Sequence, residues 1–435
     1  MLRYIKNLDL AGKLTLLVLL AMAARALVVV LKAPAFSYAL PEFWGAEMAS
    51  IAASVVLDEG FSSQYRPVET GPTAFLPPLF PYLVSVLFDL FGVYEMSAAL
   101  AWIVLNILFS SLATIPIYFL GKRFGGEAVG FLSAALWVAY PLSGHSDVLL
   151  LWNTSLNLLS LSTIVCLLVH ADRSWPVAAF LALGALIGLQ TLLEPVVLSV
   201  IAVTLVWTVW VRTIAWKHLA LVVVAAGVLV APWLLRNYQT FDQFVFVRSG
   251  LNFQLVVGIN EKHGIHPNRN IEQARLFAQL GEVEFMALQG EIFQRYIAAE
   301  PRQFVLKCAE RVGEFWVGAW SDYHNIANYY WINQKLPALK HLLHGLIPLF
   351  ACAGLTVLWR RDKQLFVLVA AIFVCYPVVF YLTTVQPRHR FAIEPMALVV
   401  AACFLHHFLL ARLRGERPRK PLDSTWHELG IAHRH

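Results

Sequence analysis

The sequence predicts an all-α polytopic membrane protein. About ten transmembrane helices are joined by a first outer loop of short interfacial helices and by a second, larger helical outer loop. Three observations carry this reading. Of the 435 residues, 59% are hydrophobic and only 14% are charged, against roughly 45–50% apolar and about 25% charged in a soluble domain. Apolar runs near the ~20 residues needed to cross the hydrocarbon core recur along the chain. Lys and Arg gather at the ends of alternate runs, as the positive-inside rule requires.

The elements follow in order. The first run, 13–31, comes after MLRYIK, and Ala33-Pro34-Ala35 imitates a cleavage site. The run exceeds the 7–15 apolar residues of a signal core, so it is read as an uncleaved span. Further spans are expected at 98–120, 128–141, 153–171, 176–193, 195–211, 218–235, 340–359, 364–383 and 391–411. The stretch GPTAFLPPLFPYLVSVLFDLFG, 71–92, is also apolar, but Pro72, Pro77, Pro78 and Pro81 break it. If it does not cross, both termini are cytoplasmic. The short inner segments then hold 17 Lys and Arg, and the short outer ones hold Lys32, Arg66, Arg388 and Arg390. If it did cross, 14 of those 17 would move outside, against the charge rule. It is therefore read as a turn and a short interfacial helix that starts at a proline, where a missing N–H costs nothing.

The chain divides accordingly. Residues 1–235 form an N-terminal transmembrane module, with the first outer (periplasmic) loop at 32–97. Residues 236–339 form the second, too long for a plain connector, with polar helices expected near 271–299 and 301–319. Residues 340–411 hold the C-terminal spans, and 412–435 a basic cytoplasmic tail. Gly184 and Gly188 give the small-xxx-small spacing of closely packed membrane helices.

Several classes of chemistry are excluded. The five cysteines include no CxxC pair, so neither a disulfide framework nor a thiolate metal site is indicated. P-loop, dinucleotide-fold, HExxH and haem CxxCH motifs are absent. The +6 net charge is explained by membrane topology rather than by nucleic acid.

The polar groups that need a reason gather on the outer side. In FWGAEMASIAASVVLDEGF, Glu47 lies on an apolar-rich helix just after two aromatic residues. A half-desolvated carboxylate there suits a general base; Asp58 and Glu59, next to Gly60, are the alternatives. Span 218–235 ends at Arg236 and Asn237, and Arg248 and Asn252 follow within a stretch read as extended. Arginine at an outer span end needs an anionic partner, and its fork matches phosphate; snorkelling to headgroups is the other reading. In QPRHRFAIEP, Arg388, His389 and Arg390 form an anion site in a short outer turn, or Glu394 pairs internally with an arginine. Nucleotide sugars are absent from the outer face, so a reaction there needs a substrate that arrives activated. A lipid-linked phosphate sugar meets that need.

These stretches, together with GPTAFLPPLFPYLVSVLFDLFG, APWLLRNYQTFDQFVFVRSGLNFQLVVGIN and AEPRQFVLKCAERVGEFW, resemble integral-membrane glycosyltransferases of the GT-C type. The kinship is to the family-39-like bacterial branch, with its lipid A aminoarabinose transferases and, more distantly, protein O-mannosyltransferases. The resemblance implies a multi-pass protein of the bacterial inner membrane. It implies a polyprenyl-phosphate sugar donor, an acidic base in the first outer loop and inversion at the anomeric carbon. The base role falls on Glu47, although many relatives begin this helix with a paired Asp-Glu, where Phe43-Trp44 stands here. Donor phosphate falls to Arg236, Arg248, Arg388 and Arg390; further substrate contacts fall to Asn237, Asn252, His389 and Glu394. No cofactor is required; a divalent metal is compatible but not indicated, and no metal ligands are assigned. The acceptor is a hydroxyl on a lipid, glycan or protein. The rival classes are a polyprenyl-lipid transporter and a non-catalytic lipid-binding protein. Transporters often show repeated halves and broken helices at mid-bilayer; neither is visible in this sequence.

Overall fold

The computed structural model describes residues 8–32, 44–140, 151–211, 213–260, 266–267, 270–318 and 337–410. The tail expected at 412–435 lies outside them. The N-terminal helices are α1 (Leu10–Lys32), α2 (Glu47–Val56), α3 (Leu79–Phe91), α4 (Met96–Leu112), α5 (Thr114–Gly125) and α6 (Glu127–Ala139). Next come α7 (Thr154–His170), α8 (Val177–Leu193), a 3₁₀ turn at Pro195–Val197, α9 (Leu198–Trp210) and α10 (Trp216–Phe241). The segment after α10 holds α11 (Leu251–Ile259), α12 (Ile271–Ala299) and α13 (Pro301–Val317). The chain continues with α14 (Pro337–Arg361), α15 (Lys363–Cys375), α16 (Val378–Leu382), α17 (Pro387–Phe391) and α18 (Glu394–Leu405). Among the described residues the one non-helical pairing is an isolated antiparallel bridge between Ser62 and Pro72.

Helix falls in each of the ten apolar runs. Four units are long and apolar enough to cross a membrane: Leu10–Leu31, Met96–Gly125, Trp216–Phe241 and Lys363–Leu382. The other apolar runs form shorter helices. The chain is a multi-helix membrane protein.

The centre of the bundle is α18, whose residues from Glu394 to Cys403 are all buried. It packs on α14, α5 and α6, and its side chains join those of α7, α8, α9 and α15 in the main apolar core. The α8–α10 crossing is the closest approach that the glycine spacing anticipated. A Cβ on Gly188 would stand 2.9 Å from the Ala226 carbonyl, and one on Gly184 would strike the Val222 carbonyl. Without a hydrophobic drive in lipid, such backbone contact is what associates the helices.

In the first outer loop, α2 and α3 pack on each other. Trp44, Ala49, Ala52 and Ala53 meet Phe80, Val84 and Phe88, with Trp102 of α4 beneath. The other face of α3 leaves Tyr82, Val86, Leu90 and Phe91 exposed. At 13 residues and about 1.5 Å per residue, α3 is about 20 Å long, short of the ~30 Å hydrocarbon thickness.

The two polar helices expected near 271–299 and 301–319 are α12 and α13. The Asn270 side chain caps α12 by accepting from the backbone N–H groups of Glu272 and Gln273 at 3.0 and 3.3 Å, satisfying donors that a helix start leaves orphaned. Pro301 opens α13. The segment after Arg248, read as extended, is instead helix α11. Its Phe253 and Val256 are buried, and Phe253 shares a core with Phe277 and Phe285 of α12 and with Ile51, Phe61, Tyr65 and Phe75 of the first loop. Tertiary burial of that apolar face favours helix where the local sequence left the choice open. Residues 51–76 and 247–286 thus contribute to one common core.

Candidate active site

Glu47 occupies the first turn of α2. Gly45, two residues ahead, has φ +71°, and a Cβ there would stand 2.7 Å from the Trp152 ring. Glycine therefore lets the turn close onto the indole. The Glu47 Oε1 atom lies 3.3 Å from Nε2 of His266, a residue of the second outer region. The His266 ring meets the Tyr65 ring edge-on at 6.3 Å and the Phe253 ring at 5.2 Å.

Tyr65 is 2% exposed. Its phenol is pushed well above its ordinary pKa, first by burial and then by the negative charges of Glu47 and Glu282, with Arg248 opposing. It stays a neutral donor through the physiological range, with the Gln64 side chain beside its hydroxyl.

Arg248 is held by its neighbours in the chain. Trp233 Nε1 donates to the Val247 carbonyl at 2.9 Å, and the Ser249 N–H donates to the Ala74 carbonyl at 2.9 Å. The Arg248 guanidinium reaches within 4.0 Å of Glu194, which accepts from the Asn153 amide at 3.2 Å. Arg388 stacks over the same Trp152 ring, 3.7 Å from its centre. Such stacking orients a guanidinium without consuming its N–H donors.

His389 separates the two arginines. Its ring lies on Phe380 at 4.3 Å, and its Nδ1 faces the Gln386 N–H at 3.2 Å, so Nδ1 acts as the acceptor. Burial first, then the positive charges of Arg388 and Arg248, hold its pKa well below the usual imidazole range. The imidazole is therefore neutral, with Nε2 protonated. The site has a carboxylate–imidazole side, Glu47 and His266, and a guanidinium side, Arg248 and Arg388; the Trp152 indole touches the turn ahead of Glu47 and carries Arg388.

The other sequence candidates lie elsewhere. Arg390 is 1% exposed; it donates to Glu394 Oε2 at 2.6 Å, and to the carbonyls of Trp316 and His344 at 2.8 Å each. Glu394 also accepts from the Tyr140 hydroxyl at 2.8 Å. Arg236 donates to the Thr73 and Phe61 carbonyls at 2.7 and 3.1 Å and lies over the Trp233 ring. Asn237 is fully buried, its amide near the Val245 carbonyl at 3.3 Å, and the Asn252 amide donates to the Met286 carbonyl at 3.1 Å. Asp58 follows α2 in an exposed left-handed turn, φ +61°, and Glu59 pairs with Arg66. Among the described residues no group of three or more His, Cys, Asp or Glu side chains could hold a metal.

Sequence reasoning missed His266 and Glu282. Glu282 is buried and accepts from the Thr73 hydroxyl and from the Ala74 N–H at 2.8 Å, pinning α12 to the first loop. Burial pushes its pKa up, against the pull of those donors. An acid in the apolar setting GEVEF is a weak signal for it; His266, in a polar loop, gave none.

No family model matches the chain, and no curated protein matches it. Solved structures match its fold. The archaeal oligosaccharyltransferase AglB from Archaeoglobus fulgidus, in complex with an inhibitory peptide and a dolichol-phosphate, superposes with TM-score 0.53 at 14% identity, over 98% of this chain and 52% of that one. The oligosaccharyltransferase from Archaeoglobus fulgidus in complex with Zn and sulfate gives TM-score 0.52 at 14% identity, over 92% and 50%. ArnT from Cupriavidus metallidurans bound to undecaprenyl phosphate gives TM-score 0.40 at 14% identity, over 91% and 78%. The chain spans about half the length of the oligosaccharyltransferase structures. It has the fold of the GT-C type glycosyltransferases.

Proposed function

We propose that the protein transfers a sugar from a polyprenyl-phosphate donor to a hydroxyl acceptor at the outer face of a bacterial inner membrane, with both termini cytoplasmic. The observation that carries this reading is the division of the site: Glu47 with His266 on one side, Arg248 and Arg388 on the other, all supplied by segments that the charge rule reads as outer. The acceptor oxygen attacks the anomeric carbon from the side opposite the phosphate. Its proton passes to Glu47 as the new C–O bond forms. The bond to the donor phosphate oxygen breaks, and polyprenyl phosphate leaves with the bonding electrons. The configuration at carbon inverts. Arg248 and Arg388 stabilise the charge that develops on the leaving phosphate, and their guanidinium groups supply that positive charge without a metal. Arg236 and Arg390 are struts in this reading, because backbone carbonyls and Glu394 take up their donors.

General-base catalysis contributes typically 10²–10⁴-fold. Glu47→Gln is expected to lower turnover by about that factor while donor KM stays near wild type. The readout is release of labelled polyprenyl phosphate in reconstituted vesicles when an acceptor is supplied. A wild-type rate in that variant removes Glu47 from the mechanism. A wild-type protein that moves labelled donor across the bilayer without releasing polyprenyl phosphate is a carrier instead. Cysteines placed at Asp89 and Arg302 are expected to react with an impermeant reagent from the same, outer side; opposite sidedness defeats the orientation.

A further inference from the structure

A base on the first turn of a helix is fixed only at its backbone. Its three side-chain torsions must still be held if one oxygen is to meet a proton at hydrogen-bond distance. In α2 the backbone just ahead of Glu47 is itself unusual, with Gly45 at φ +71° and Ala46 at φ +43°, which aims the carboxylate at the second outer region. There His266 Nε2 stands 3.3 Å from Oε1.

The His266 ring takes its orientation from packed aromatic residues. Tyr65 meets it at 89° and Phe253 at 75°, and these two are 2% and 1% exposed. Both belong to the core shared by the two outer regions. Glu282 reinforces that core by holding Thr73 and Ala74 from α12. Tyr65, which also lies beside the pair, stays a neutral phenol and does not compete with Glu47 for a proton.

We propose that His266 is the positioning residue for Glu47. Its imidazole fixes Oε1 and leaves Oε2 directed at the acceptor hydroxyl, so that the base is assembled only when the two outer regions are folded together. This rests on the reading of Glu47 as the base. His266 acts through Glu47 and takes no proton from substrate. Its loss therefore lowers kcat and leaves donor KM unchanged.

The experiment is a two-residue cycle on the full-length protein in vesicles, with labelled donor and acceptor. His266→Ala is expected to lower kcat by about 10²-fold, the cost of a misplaced reacting group. His266→Gln keeps an N–H donor near the Nε2 position and is expected to recover most of that loss. In a Glu47→Gln background, followed over long incubations, His266→Ala is expected to change the residual rate by less than about twofold, because residues acting as a unit are strongly non-additive. Three results overturn the proposal: a wild-type rate in His266→Ala, an equal loss in the Glu47→Gln background, or a His266→Gln variant as slow as the alanine one. A Glu47→Gln protein with full activity fails the functional reading instead. A slow Glu47→Gln protein beside a fast His266→Ala protein fails the positioning role alone.

Discussion

Replacing Arg390 separates a substrate ligand from a structural strut. In the folded protein Arg390 and Glu394 are each 1% exposed and meet through two contacts, Nε to Oε2 at 2.6 Å and Nη2 to Oε1 at 3.1 Å. Arg390→Met removes the cation and leaves the carboxylate buried, with the Tyr140 hydroxyl as its remaining donor among those described. Breaking a buried pair from one side costs about 3–5 kcal/mol, because an uncompensated charge stays behind. Adding Glu394→Gln removes that charge and keeps an oxygen for Tyr140. The double variant is therefore expected to recover more than half of the loss, although the Trp316 and His344 carbonyls still lack their donor. The assay is the thermal midpoint of purified protein in detergent, read as the monodisperse fraction after heating, beside donor KM in vesicles. An Arg390→Met protein with a wild-type midpoint and a raised donor KM refutes the reasoning and returns Arg390 to the phosphate site.

Two further predictions follow from the guanidinium side. Arg388→Ala is expected to raise donor KM about tenfold or more, as the loss of a charged hydrogen bond worth about 1.5–3 kcal/mol requires, with the thermal midpoint little changed; an unchanged KM removes Arg388 from the phosphate site. His389 is half-buried and neutral, with its folded pKa below the ordinary value of 6.5. Above that pH both folded and unfolded chains hold it unprotonated and it adds no pH dependence. As pH falls below 6.5 the unfolded chain takes up the proton first, so stability is lost until the folded pKa is passed. The wild-type midpoint should fall on acidification from pH 7 to pH 5, and His389→Gln should flatten that fall; parallel curves for the two proteins refute the assignment.

Much of this fold can be read from the sequence because membrane physics writes it in simple terms. Apolar runs and the sidedness of Lys and Arg locate the helices. Pro301 marks the start of α13, and the Gly184–Gly188 spacing marks where α8 meets α10. The site was less legible. Arg236 and Arg390 break the charge rule as clearly as Arg248 and Arg388 do, and all four invite the same phosphate reading. What separates them is three-dimensional: carbonyls of Thr73 and Phe61 surround one strut, and Glu394, one helical turn onward, takes the other. Asn252 was placed in an extended stretch because its apolar neighbours fit strand or helix equally; contact with α12 decides for helix. His266 depends wholly on the folding of two distant segments, and no local pattern announces it.

Arg388 lies six residues before Glu394, in the short helix α17 that leads into α18, whose residues from Glu394 to Cys403 are all buried. The Arg388 guanidinium lies over the Trp152 ring rather than against α18. α2 packs in two smaller cores, with Ile51 in one and Ala49, Ala52 and Ala53 in the other. On the proposed mechanism the two arginines of the phosphate side are thus braced by different cores, Arg388 beside the main one and Arg248, next to Val247, by the smaller one that holds Ile51.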